Sequence, residues 1–305
     1  MCGIAGLMAK GPGCPVAPTL ASMLQALRRR GPDSTGVSLY GAPFEGDLLL
    51  SVWAGEGGGE SARAAVLGAV EGFATVKSEA YEEGYFRVGI VAEDATPDTL
   101  GKLTYAIGES SPGVLVFSIG RSLALTKQTC DARTLFERYA LGAHDYTHGV
   151  GHTRMATESR VDVAHAHPFW ARPFPDITVV HNGHLTNYHK HRRILEMRGY
   201  RFATDNDTEF LAVYLAEKLA GGATLDEAVR SSIDDLDGSF SYLVSTPEGF
   251  GVARDRFGTK PCVFAETDGW VAAASEELAL YEAFGDESRI HAVELPAGHA
   301  RAWTK

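Results

Sequence analysis

The chain has 305 residues, of which 45% are hydrophobic and 22% charged; about two domain equivalents of this balance fold around their own core, which excludes a disordered or fibrous protein. The formal net charge of −11 argues against a nucleic-acid binder, which needs a basic face. Cys2, Cys14, Cys130 and Cys262 form no CxxC pair, so zinc and iron–sulfur clusters are not expected and reduced thiols are.

In chain order, Met1 to Gly13 lacks the basic and apolar regions of a secretory leader. The most hydrophobic internal stretch, Gly113 to Leu125, is cut by Arg121 and too short for a bilayer. A cytoplasmic protein without membrane attachment is expected. Gly3 to Met8 reads as a short apolar strand. Pro18 to Arg30 reads as a helix, with Leu20, Met23, Leu24 and Leu27 on one face; Gly31-Pro32 stops it, and Gly36 to Tyr40 resumes as a strand. Asp47 to Ala54 is another strand, followed by the acidic hinge Gly55 to Gly59, which lacks the Lys-Ser/Thr ending of a phosphate loop. A helix (Ser61 to Phe73), two strands (Ala74 to Ser78, Tyr85 to Glu93), a helix after Thr96-Pro97 and a strand (Val114 to Ile119) complete a βαββαβ pattern, the split βαβ.

Beyond Gly149 the chain is strand-rich: Val150 to Arg154, Ile177 to His181, Phe240 to Ser245, Gly251 to Arg254, Cys262 to Glu266 and Trp270 to Ser275. Two helices interrupt them, Asn187 to Arg198 and Thr208 to Leu219 running on to Leu225 through Ile233. Hairpin-like pairs without strict strand–helix alternation indicate an α+β protein rather than a Rossmann sheet.

Four groups of residues carry chemistry. Removal of Met1 would give Cys2 a free α-amine of pKa ~7.7–8.0 beside a thiol of ~8.5, so one residue would supply nucleophile and base; the plain alternative is a small inert side chain. Arg154, at a strand end in Gly151-His152-Thr153-Arg154-Met155-Ala156-Thr157, suits a bidentate clamp on a carboxylate, or a surface ion pair. In His181-Asn182-Gly183, Asn182 offers an amide donor and Gly183 an open backbone N–H, as a tetrahedral oxyanion needs; an Asn-Gly turn is the other reading. Asp205-Asn206-Asp207-Thr208-Glu209 caps a helix, and a carboxylate there could also bind an ammonium. The histidines at 165, 167, 181, 184, 189 and 191 lack a third carboxylate or cysteine at ligand spacing, so no metal site is expected.

Met1-Cys2-Gly3-Ile4, Arg30-Gly31-Pro32-Asp33, residues 151–157, His167-Pro168-Phe169, His181-Asn182-Gly183, Asp207-Thr208-Glu209 and Asp237-Gly238-Ser239-Phe240 follow one another in the order of a known family. Arg254-Asp255, Gly258-Thr259-Lys260-Pro261 and Ser275-Glu276 add to it. The chain resembles the glutaminase domain of class II glutamine amidotransferases, within the N-terminal nucleophile hydrolase superfamily, over residues 1–55 and about 149–300. The resemblance implies a four-layer αββα sandwich. It makes Cys2 the nucleophile, and Asn182 and Gly183 the oxyanion hole. It makes Arg154 the partner of the glutamine α-carboxylate, helped by Thr157 and the neighbourhood of His167, and Asp207 the partner of the α-ammonium.

Two departures stand out. Met155 and Glu158 replace a tryptophan and a histidine of many members. Residues of about 56–146 have no counterpart in the minimal glutaminase and form an inserted small α/β subdomain, as in stand-alone subunits similar to those of glutamate synthase and N-methylglutamate synthase. The expected function is hydrolysis of L-glutamine, with ammonia passed to a separate synthase subunit on which FMN and iron–sulfur chemistry would reside. No cofactor is expected on this chain. The rival readings are a free-standing amidohydrolase of another γ-glutamyl compound and a catalytically silent assembly subunit.

Overall fold

A computed structural model describes residues 1–41, 44–55, 59–156, 160–285 and 290–305. The strand at the chain start, β1 (Gly3–Ala9), is the centre of a seven-stranded sheet. It lies between β14 (Trp270–Ala274) and β8 (His148–Arg154). Beyond β8 come β2 (Ser34–Tyr40) and β7 (Leu123–Gln128), and beyond β14 come β13 (Val263–Glu266) and β15 (Val293–Glu294). A second sheet has the order β16 (Ala300–Thr304), β12 (Gly249–Arg254), β11 (Gly238–Thr246), β10 (Thr178–Leu185) and β9 (Phe169–Trp170). Neighbouring strands are antiparallel in both sheets.

The two sheets face each other, and the alternation of side chains along each strand explains why. Ile4, Met8 and Val150 of the first sheet pack on Val180, Leu243 and Phe250 of the second. The opposite face of the first sheet buries Leu7 and Val37 under Leu20, Met23 and Leu24, the apolar stripe of α1 (Val16–Ala26), which is flanked by α4 (Ala132–Arg138) and α8 (Glu277–Phe284). The far face of the second sheet buries Tyr242 and Val244 under Phe210, Val213 and Val229, from α6 (Asp207–Ala220) and α7 (Leu225–Asp235). The result is the αββα layering expected from the sequence. Helix α1 is shorter than its sequence pattern: a 3-10 turn over Leu27–Arg29 tightens its end before Gly31-Pro32.

Residues 48–120 form a separate four-stranded antiparallel sheet in the order β4 (Ala74–Glu82), β5 (Tyr85–Ala92), β3 (Leu48–Trp53), β6 (Leu115–Gly120). Helices α2 (Glu60–Glu71) and α3 (Pro97–Ser110) make the two crossovers of the split βαβ. Helix α3 starts as its sequence dictates: Thr96 caps the Thr99 N–H and Pro97 opens the first turn. Strand β6 turns directly into β7, which belongs to the seven-stranded sheet. Asp176 fixes that turn by accepting from the N–H groups of Arg121 (2.7 Å), Ser122 (2.9 Å) and Leu123 (3.0 Å). The hinge residues 56–58 lie outside the described residues. Among the described residues, no helix is long and apolar enough to cross a membrane.

Candidate active site

The register of the first sheet brings the chain start to the end of β8. Gly3 faces Thr153, so Cys2 stands beside Arg154 and Met155. A β-carbon at Gly3 would lie 2.7 Å from Thr153 Oγ1 and 2.9 Å from Leu27 Cβ, so glycine is required by the approach of β1 to its neighbours. The Cys2 Sγ accepts the Met155 N–H at 3.4 Å, and the α-amine of Met1 donates to Met155 Sδ at 3.0 Å. The other three thiols are poor nucleophiles at neutral pH because burial raises them: Cys14 upward, Cys130 to about 11 and Cys262 to about 12.

The Cys2 carbonyl is held from two sides. Arg30 Nε donates to it at 2.9 Å and Asn182 Nδ2 at 3.1 Å. Arg30 is fixed by an ion pair with Glu276. Gly31 packs where a β-carbon would sit 2.4 Å from Thr153 O, and Asp33 receives the Ala156 N–H at 2.7 Å while its own N–H reaches Arg154 O at 3.0 Å. The Arg30–Asp33 segment therefore clamps the chain on both sides of Arg154. Ser275 pairs with Ile4 through backbone and side chain, which fixes the other side of the Cys2 neighbourhood. The sequence showed these segments as family matches without assigning them roles; their contacts with Cys2 depend on strands far apart in the chain.

Asn182 and Gly183 lie near the end of β10, opposite Ser241 and Phe240 of β11. Gly183 has φ of +139°, and a β-carbon there would meet Ser239 O at 2.0 Å; this strand position admits only glycine. The Asn182 amide carries two N–H donors. One meets Cys2 O, and the second can serve another acceptor.

Asp207 opens α6 and reaches back to β10: its Oδ2 accepts the Leu185 N–H at 3.0 Å, and Oδ1 stands 3.5 Å from His181 Nδ1. Burial works against its charge, but His181 and the Leu185 N–H outweigh it and hold the carboxyl below its ordinary range. Beneath it lies a histidine cluster. His167 Nε2 and His181 Nδ1 both meet Thr208 Oγ1, at 2.9 and 3.1 Å. His152 stacks on His167 at 4.1 Å, and its Nε2 meets His181 O at 3.1 Å. Burial pushes His152 down to about 3 and His167 well below the ordinary histidine value, so both rings are neutral at pH 7.

Cys2, Asn182 and Gly183 thus share one strand-end region, with Arg154 on the β8 side. Asp207 and His167 are joined through Thr208, and the hydrogen bond of His167 goes there rather than to Arg154. Arg154 is buried, and its Nη1 donates to Arg160 O at 3.0 Å. Thr157 and Glu158 lie outside the described residues. Among the described residues no group of three or more histidine, cysteine or acidic side chains is placed to hold a metal ion. Such an arrangement can present a thiol, amide donors toward developing negative charge, and opposite charges for a zwitterion.

A family model for the glutamine amidotransferase domain matches residues 152–282. The chain is 40% identical to a protein of Methanothermobacter thermautotrophicus named "Putative glutamine amidotransferase", over 99% of both chains. It is 36% identical to the glutamine amidotransferase-like protein GlxB of Rhizobium meliloti, over 92% of this chain and 91% of that one. Among solved structures, glutamine phosphoribosylpyrophosphate amidotransferase from B. subtilis, complexed with ADP and GMP, matches with a TM-score of 0.61 at 17% identity. That match covers 99% of this chain and 47% of the solved one, so this chain spans about half of it; the likeness is one of fold.

Proposed function

Since the chain belongs to the glutamine amidotransferase family, we propose that it hydrolyses the side-chain amide of L-glutamine through Cys2 and passes the ammonia to a separate synthase subunit. The observation that carries this reading is the convergence on Cys2 of Asn182, Arg30 and the end of β8, drawn from three distant parts of the chain.

Loss of Met1 frees the α-amine of Cys2, which takes the thiol proton. The thiolate attacks the amide carbon, and the carbonyl oxygen becomes an oxyanion held by the second Asn182 N–H and the Gly183 N–H. The carbon–nitrogen bond breaks, the α-ammonium protonates the leaving nitrogen, and ammonia departs from a γ-glutamyl thioester. Water, deprotonated by the same amine, attacks the thioester and releases glutamate. Arg154, with Thr157, holds the substrate α-carboxylate, and Asp207 holds the α-ammonium. His181, 3.5 Å from Asp207, and His167, through Thr208, keep Asp207 oriented. The acceptor subunit is of glutamate synthase or N-methylglutamate synthase kind, and any FMN or iron–sulfur cluster belongs to it.

The test is release of glutamate and ammonia from L-glutamine by the wild-type chain and by Cys2→Ser. The wild type should release the two in equal amounts, and Cys2→Ser should release neither above background. Equal rates from the two proteins would remove Cys2 from the chemistry.

A further inference from the structure

A second polar site lies away from Cys2, between the four-stranded unit and the edge of the five-stranded sheet. A cavity of about 360 Å³ opens there, walled by Phe117 of β6, Phe169 and Trp170 of β9, and the side chains of Lys127, Arg172 and Glu209. Lys127 is 5% exposed, and its ammonium is flanked by the Phe117 and Phe169 rings at 4.9 and 4.8 Å. It donates to two carbonyls, Ala166 O at 2.7 Å and Pro168 O at 3.4 Å. Arg172 sits over the Trp170 ring at 5.7 Å and donates through Nη2 to Val116 O at 3.2 Å.

Among the described residues, neither cation has a carboxylate at ion-pair distance. Glu209 also lines the cavity, but its two oxygens already accept from Ala203 N, Thr204 N and Thr204 Oγ1 at 2.7–2.8 Å. The lining carries three basic side chains, Lys127, Arg172 and Arg201, against two carboxylates, Glu109 and the committed Glu209, which leaves one basic group in excess inside a protein of net charge −11. Burying an unmatched charge is costly. Here the cost falls most visibly on Lys127, which burial pushes down to about 7. A monoanion would supply the missing charge. Arg172 presents a planar fork suited to a carboxylate, and the aromatic walls suit a flat apolar body.

We propose that this cavity binds a small aromatic carboxylate, its carboxylate held by Lys127 and Arg172 and its ring lodged among Phe117, Phe169 and Trp170. The site borders the machinery described above: the two carbonyls bonded by Lys127 flank His167, which reaches Asp207 through Thr208. Binding itself does not depend on the glutaminase reading and is measured without turnover.

The experiment is ligand-observed saturation-transfer NMR on the full chain with benzoate, with benzamide as its uncharged counterpart and inorganic phosphate as competitor. Benzoate should bind saturably, benzamide at least tenfold more weakly, and phosphate should not displace benzoate. Arg172→Gln and Lys127→Met should each weaken benzoate at least tenfold. If Lys127→Met does not fold, the half-buried Arg172 carries the test alone. Absence of saturable benzoate binding would overturn the assignment, and so would equal binding of benzamide or unchanged affinity in Arg172→Gln. Displacement by phosphate would replace it with a plain inorganic-anion site.

Discussion

The four-stranded unit and the two-sheet body are built from similar strands and helices but treat polar groups in opposite ways. Between residues 48 and 120, the buried polar side chains among the described residues are Ser51, Thr104 and Ser118, none of them titratable at ordinary pH. The body buries His148, His152, Arg154, His167, His181, Asn182, Glu209 and Asp255. Burying such groups calls for partners, and for two of the histidines the partner comes from the opposing sheet: His148 Nε2 meets Thr246 O at 2.7 Å, and His152 Nε2 meets His181 O. The contrast separates a unit held by apolar packing from a body whose apolar seam between the sheets also carries buried histidines bonded from one sheet to the other.

Acid should break the comparison most strongly. Burial depresses His148 to about 4 and His152 to about 3, from an ordinary value of 6.5. Below pH 6.5 the unfolded chain takes up protons that the native rings refuse, so stability falls as pH drops from 6.5 toward 4. The loss is on the order of 3 kcal/mol for each histidine. The segment 48–120 contains no histidine. Hydrogen exchange at pH 4.5 should therefore show body amides losing protection before those of β3 and β5; simultaneous loss would mean that the two regions unfold as one.

Next in size is Phe86→Ala, in the fully buried core of the four-stranded unit. Thermal or denaturant unfolding should show a loss of ~3–5 kcal/mol, while kcat/KM for glutamine stays at the wild-type value in the folded fraction. A large loss of kcat/KM would show that the unit shapes the site.

Asp207→Asn tests the body at the substrate. Loss of one partner of a desolvated charge should raise KM for glutamine by the equivalent of ~2–5 kcal/mol. A lowered melting temperature with unchanged KM would reduce Asp207 to an anchor for Leu185 and His181.

Asn182→Ala should lower kcat by ~10²–10³-fold with KM nearly unchanged, because the oxyanion exists only beyond the ground state. Since Asn182 also holds Cys2 O, circular dichroism should accompany the kinetics. A destabilised variant that turns over at the wild-type rate once folded would make Asn182 a structural residue only.

Much of this architecture is legible in the sequence because it is locally encoded. The apolar period of residues 20–27 marks α1, and Thr96-Pro97 marks the start of α3. The alternating runs at 85–93 and 240–245 mark β5 and β11. What escaped the sequence reading is short or pairs at long range. Strand β7 follows β6 after two residues and reads as one hydrophobic stretch with it. Strands β15 and β16 are too short or too charged to show a period, and α4 and α8 have one turn or two of buried contact. In the site, Cys2, Arg154, Asn182 and Asp207 announce themselves through the chemistry of their side chains. Arg30, Asp33 and Glu276 do not, since a guanidinium that grips a backbone carbonyl looks like any surface arginine until the strands are paired.

The central claim is that Cys2, as a free N-terminal residue, carries the γ-glutamyl group. Mass spectrometry of enzyme acid-quenched during glutamine turnover tests it directly. The N-terminal peptide should begin at Cys2, with Met1 absent, and should carry a glutamyl adduct on its sulfur that disappears once glutamine is exhausted. A fully active preparation that keeps Met1, or that turns over glutamine with the adduct on another residue, would contradict the account.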